Sequence, residues 1–357
     1  MTATPARRAR LVNGVAGVAA GIAGGAVCAW INTPLPWLIG ALVAVAAANL
    51  AGWRIHNLPR GRECGQVLIG TAIGLYLTPT VAAVIAIHLP TMLVTALLLT
   101  LMGAMGAVIL GRIARVDPVT AYFGSVPGGM AEMLVIGDRL GARPVQMTIA
   151  QVVRVTIVVL TIPVALTWLG GTGVDPYARP NIPLDWPKLA LLLALTLGVA
   201  AVLNRLRLTN AWALGSVAMA GALTAFEIHL SSMPTFLSNF AQVLIGVGIG
   251  QRFNREDFAR SPMVIVGAAV STVAMMALCV GLAFPLAAIT GLAMPSMVAA
   301  TAPGGLAEMS ITAKVLGLGV PVVTAFHVAR IFMIALTALP IYRGLQALQA
   351  RRTAAGE

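Results

Sequence analysis

Charge is scarce in this chain. Only 10% of its 357 residues are Asp, Glu, Lys or Arg, against roughly 25% in a soluble domain. That shortage excludes an ordinary soluble fold. Acid is scarcer than base, with 11 Asp and Glu against 23 Lys and Arg. Three cysteines, Cys28, Cys64 and Cys279, stand far apart in or beside apolar runs, which excludes a disulfide framework and a thiolate metal site. Four histidines, His56, His88, His229 and His327, show no metal-ligand spacing. Oxygen chemistry on a metal needs several such ligands, so neither an enzyme nor a resident cofactor or metal is expected.

Long apolar runs fill the space that charge leaves. The chain is 59% hydrophobic with a mean hydropathy of +0.93, and several runs approach or exceed the ~20 residues that cross a bilayer. The expected class is an all-α polytopic membrane protein, because only helices and closed barrels satisfy the backbone in lipid. The runs do not alternate as barrel strands would. The net charge of +12 then reads as Lys and Arg held on the cytoplasmic side, with no direct nucleic-acid binding. Arg7, Arg8 and Arg10 before the first run resemble a signal peptide. The length of that run and its counterpart at 188–203 argue that it is kept. The sixteen methionines are read as packing.

One stretch occurs twice. Residues 125–133 read Ser-Val-Pro-Gly-Gly-Met-Ala-Glu-Met and residues 301–309 read Thr-Ala-Pro-Gly-Gly-Leu-Ala-Glu-Met. The same offset aligns Gln66-Val-Leu-Ile-Gly with Gln242-Val-Leu-Ile-Gly, and Arg154 with Arg330. A duplication of half the chain follows. It divides the chain into an N-terminal transmembrane repeat at 1–169, a linker at 170–187 holding Pro176, Pro180, Pro183 and Pro187, and a C-terminal transmembrane repeat at 188–357. The apolar elements are expected at 11–31, 35–52, 64–77, 82–111, 118–137 and 144–169, then at 188–203, 210–228, 235–250, 262–290, 295–314 and 321–342. The 82–111 element is expected to tilt or kink near Pro90, and 64–77 is short for a span.

If each Pro-Gly-Gly element dips in and returns, each half has five transmembrane helices plus one re-entrant broken element. An odd number of crossings makes the two repeats inverted in topology. On that plan 18 of the 23 basic residues lie inside, two (Arg179 and Lys188) outside, and three (Arg154, Lys314 and Arg330) within the membrane. Full crossing by both elements leaves a poorer division of 13 to 7, so the positive-inside bias favours the re-entrant plan. It places both termini in the cytoplasm.

Pro and Gly break a helix in mid-membrane, and irregular backbone at that depth belongs inside protein or beside a water-filled cavity. Freed N–H groups can meet an anion and freed carbonyls a cation. The expected binding site for solute or ion is therefore Pro127, Gly128, Gly129 and Glu132 with Pro303, Gly304, Gly305 and Glu308, joined by Gln151 and Arg154 and by His327 and Arg330, the two buried arginines favouring an anion. Intramembrane carboxylates are functional candidates that can carry a proton or ligate a cation. A fixed ion pair with Arg154 and Arg330 is the alternative. Gln151 and His327 share a helical face with those arginines. His327 is read equally as a proton shuttle or a satisfied core residue. Asp138 and Lys314 are equivalent positions of opposite charge, suited to gating or to simple solvation. Gln66 and Gln242 are candidate cavity lining, while Gly70, Gly74, Gly246 and Gly250 read as close helix packing.

With those twin motifs the sequence resembles the bacterial AbrB-type integral membrane family, built of two tandem AbrB duplications, over roughly 12–342. That family is distinct from the like-named soluble DNA-binding regulator. Its members carry labels of ammonia monooxygenase or of regulator of gene expression. The topology also resembles the 2-hydroxycarboxylate and glutamate symporter class, whose Gly-Gly-x-Gly signature is Gly-Gly-x-Ala here. The leading expectation is a secondary transporter of a small anionic, carboxylate solute by alternating access, coupled to H+ or Na+. The alternative is a membrane-embedded regulator of gene expression acting through ligand sensing or a partner protein. The expected setting is the bacterial inner membrane, with a small-molecule solute and the lipid bilayer as partners and a homodimer left open.

Overall fold

A computed structural model of the chain describes residues 5–171, 175, 177 and 182–354. Pro176, Arg179 and Pro180 of the expected linker lie outside the described residues, as do the side chains of Arg7, Arg8 and Arg10. Among the described residues there are fifteen helices and no strand: α1 (Pro5–Trp30), α2 (Pro36–Leu50), α3 (Gly61–Gly74), α4 (Pro79–Ala114), α5 (Pro118–Ser125), α6 (Met130–Arg139), α7 (Pro144–Trp168), α8 (Trp186–Arg205), α9 (Ala211–Ala225), α10 (Thr235–Gly250), α11 (Arg255–Ala259), α12 (Pro262–Thr290), α13 (Met294–Thr301), α14 (Leu306–Leu316) and α15 (Val320–Ala354).

Helix boundaries follow local chemistry. Proline opens α2, α4, α5, α7 and α12 at the first turn, where its missing N–H costs nothing. Asp117 caps α5 by accepting from Thr120 N at 2.8 Å, and Asp185 caps α8 through Lys188 N at 3.1 Å. Gly291 ends α12 with φ +70°, the left-handed conformation that glycine adopts without penalty. Two features depart from expectation. Asn254 caps a short helix, α11, by accepting from Glu256 N. The last helix also runs on past 342 to Ala354, where Leu, Gln, Ala and Arg favour helix and Tyr342 is buried against Tyr122 and Phe123. Pro90 lies inside a continuous α4.

Among the described residues six helices are long and apolar enough to cross a membrane: the Val12–Trp30 part of α1, then α4, α7, α8, α12 and the Val320–Leu348 part of α15. The protein is a multi-pass membrane protein by this measure. Trp30 and Trp168 at the ends of α1 and α7 are more than four-fifths exposed, as suits the aromatic belt at a membrane–water interface. Helices α2, α3, α9 and α10, of 14–16 residues, are shorter than the ~20 residues that span lipid unaided.

The helices associate in two groups that do not follow chain order. Helices α1, α2, α3, α8, α9 and α10 pack together, and α4, α5, α7, α12, α13 and α15 pack together. The half-chains interleave in the first group: α3 lies on α9, and α10 lies on α2. Glycine makes these approaches close. A Cβ at Gly246 would stand 2.5 Å from the carbonyl oxygen of Leu38, and one at Gly70 would stand 2.8 Å from that of Ala213.

Candidate functional site

Each Pro-Gly-Gly stretch is the tip of a helical hairpin. Helix α5 climbs to the tip and α6 returns beside it. Arg143 N, just past α6, donates to Thr120 Oγ1 near the start of α5 at 2.8 Å. A Cβ at Gly137 would stand 3.3 Å from Phe123 Cβ. In the second copy, Gly319 lies beside Ser296 in the first turn of α13. In each copy the two ends of the hairpin therefore lie close together.

The last carbonyls of a helix have no partner within it. Here arginines supply one. Arg154, from α7, donates through Nη1 to the carbonyls of Ser125 and Val126, both at 3.0 Å. Arg330, from α15, donates to Ala302 O at 2.7 Å and to Gly304 O. Gln151 Nε2 donates to Phe123 O at 2.8 Å, and His327 Nε2 meets Ala299 O at 3.0 Å. The partners Phe123 and Ala299, and Val126 and Ala302, are separated by the 176-residue offset of the motifs, so the repeat extends to individual hydrogen bonds. A cation at a helix C-terminus also complements its dipole.

The glutamates face the opposite ends. Glu132 and Glu308 lie in the first turns of α6 and α14, whose N-cap glycines make no side-chain cap. The fixed Glu–Arg pair is not formed. Ion pairs among the described residues join Arg54 to Glu256, Arg143 to Asp117 and Lys188 to Asp185. The helix breaks at both Pro-Gly-Gly stretches as expected, between Ser125 and Met130 and between Thr301 and Leu306. None of Gly128, Gly129, Gly304 and Gly305 has positive φ. Their use is room: the Glu308 carboxylate occupies the place that a Cβ on Gly305 would take, and Met309 presses on Gly304.

One cavity of about 50 Å³ joins these parts. It has space for water but not for a carboxylate solute. Of the predicted residues it gathers Gln66, Gly128, Gly129, Arg154, Gly304, Gly305 and Glu308. Pro127, Pro303, Gln151, His327, Arg330, Glu132 and Gln242 are not among its lining. Gln151, His327 and Arg330 stand behind it, holding the hairpins. The two copies differ in burial: Glu308 is buried and Glu132 half-buried, because α14 packs on α3, α7, α13 and α15 while α6 packs on α5 and α7. Asp138 is exposed, whereas Lys314 donates to Ser238 Oγ at 3.0 Å.

The cavity also takes in Arg62, Asn210 and Arg252, which sequence reasoning missed. Arg62 and Arg252 looked like ordinary basic residues of cytoplasmic loops. Their absence from the duplicate positions was the available signal. Burial pushes the Arg252 guanidinium down to about 10, the like charge of Arg62 adds to this, and Glu308 opposes it. The cavity lies between the two helix groups. Arg62, Gln66, Asn210 and Arg252 come from the first; Arg154 and both glycine pairs come from the hairpin group.

A family model described as "Transition state regulatory protein AbrB" matches residues 7–346. The chain belongs to the AbrB family. Among its relatives, "Uncharacterized protein YhjN" of Bacillus subtilis (strain 168) is 27% identical, the alignment covering 94% of each chain. "Putative regulator AbrB" of Escherichia coli (strain K12) is 26% identical over 91% of this chain and 94% of its own. This AbrB-family chain thus matches both relatives along nearly their whole length.

Proposed function

We propose that the protein is a secondary transporter that moves a small anionic carboxylate solute across the bacterial inner membrane by alternating access. The observation that carries this reading is the cavity between the two helix groups, where the N-termini of α6 and α14 meet beside the buried Arg154. Helix N-termini attract anions. Inverted repeats with broken helices around a central site are a recurring transporter design, and we assign that topology here, with both termini cytoplasmic. Motion of one helix group against the other would open the cavity to each side in turn.

The position of Glu308 explains coupling. Its carboxylate lies over the N-cap of α14, where a solute anion would bind. Like charges there repel. A proton or Na+ that neutralises Glu308 therefore favours the anion, and the anion favours the cation by the same factor. No enzymatic step and no cofactor beyond such an ion is invoked.

Uptake into proteoliposomes tests this. A wild-type flux that rises with an imposed proton or sodium gradient is expected, and Glu308→Gln is expected to bind solute but lose the gradient dependence. Full gradient dependence in Glu308→Gln would falsify the coupling role. The name of the Escherichia coli relative favours a second reading, a membrane-embedded regulator of gene expression acting through ligand sensing or a partner protein. A stoichiometric protein partner that survives detergent purification, together with no flux of any carboxylate, would select that reading.

A further inference from the structure

We infer that Arg62 and Arg252 form a second anion position in the central cavity, so that the transported solute carries two separated anionic groups and is a dicarboxylate. The inference rests on the transport reading and specifies its substrate class. Both arginines line the cavity. Neither side chain has a hydrogen bond, or a carboxylate within 4 Å, among the described residues. The Arg62 Nε is buried without a partner, and its stem packs on Gly248 with carbons 3.2–3.3 Å from the Cβ position there. The two like charges repel each other, and the one carboxylate among the described residues lining the cavity, Glu308, faces them together with Arg154, so the cavity holds more cationic than anionic groups and suits a further anion. A guanidinium pair is suited to carboxylate through its planar donors.

The second position is carried by different helices from the first. The helix N-termini with Arg154 belong to the hairpin group, whereas Arg62 and Arg252 rise from the opposite helix group. Gln66 also faces the cavity, 9% exposed and without a hydrogen bond among the described residues. The duplication does not explain the basic pair. The 176-residue offset places Ser238 opposite Arg62 and Tyr76 opposite Arg252. The pair thus belongs to one helix group alone. A solute with one carboxylate at the hairpin tips and the other on Arg62 and Arg252 would bridge the two groups, which must first part to admit it.

The test uses the full-length protein in detergent and reads its melting temperature against ligand concentration. Matched acids of equal chain length serve as probes: propionate and malonate, butyrate and succinate, valerate and glutarate, hexanoate and adipate, with sulfate as a compact dianion. At one chain length the dicarboxylate is expected to bind at least about tenfold tighter than its partner. Arg62→Gln and Arg252→Gln should each bring that ratio close to one while retaining monocarboxylate binding. Arg62→Lys, which keeps the charge and the packing stem but not the planar fork, should give a ratio between those of wild type and Arg62→Gln, and its melting temperature without ligand controls for folding. Equal affinities within every pair, a preference that survives both Gln variants, or a response to sulfate alone would overturn the inference while leaving anion transport standing. Binding of no anion at all would remove the transport reading and this inference with it.

Discussion

At Arg330 one guanidinium serves the carbonyls of Ala302 and Gly304, and at Arg154 one serves those of Ser125 and Val126. Each unsatisfied buried carbonyl costs about 1–3 kcal/mol. Arg330→Ala is therefore expected to cost about 2–6 kcal/mol, read as a large fall in melting temperature. Glu308→Gln, which keeps shape and loses only charge, should melt close to wild type. An unchanged melting temperature in Arg330→Ala would show that the arginine does not hold the hairpin. The identity and pairing of these residues were legible, since the duplication picked out both arginines and both glutamates. Their roles were not. Spacing places an arginine and a glutamate on neighbouring elements, but only the folded backbone shows that each addresses a different helix end.

Among the elements, helix existence and position were legible because apolar length and proline punctuation are local signals. The re-entrant form of the broken elements is an expectation from charge bias, a property of the whole chain; the Thr120–Arg143 hydrogen bond brings the two ends of the first hairpin together. The short helices α3 and α10 illustrate what glycine spacing predicts. Gly70 and Gly74 contact α9, and Gly246 and Gly250 contact α2, so the glycines are packing faces as the four-residue spacing implies. Gly246→Ala must displace α10 from α2 and should destabilise by about 1–3 kcal/mol. Gly198→Ala in α8, where a Cβ meets nothing within 4 Å, should be neutral or stabilising by up to about 1 kcal/mol. Thermal unfolding of the two variants side by side measures the difference, and equal melting would count against close α10–α2 packing.

For the molecule as a whole, the proposed inverted arrangement predicts that the ends of the two hairpins lie on opposite sides of the membrane. In a protein with its three cysteines replaced, Arg139→Cys should react with an impermeant thiol reagent only from the cytoplasm, and Val315→Cys only from outside. Labelling of both from one side would rule out inversion. The sequence by itself determined the class, the duplication, the twin hairpin tips and most helix boundaries, because hydropathy, proline and glycine act over a few residues and a repeat is visible as repetition. Only the tertiary structure decided how the half-chains interleave, that the glutamates and arginines attend to helix ends and not to each other, and that Arg62, Asn210 and Arg252 join the central cavity. Those facts depend on which residues far apart in the chain are brought within a few ångströms. Close packing of small residues sets that, and it leaves no mark on the local pattern of any one helix.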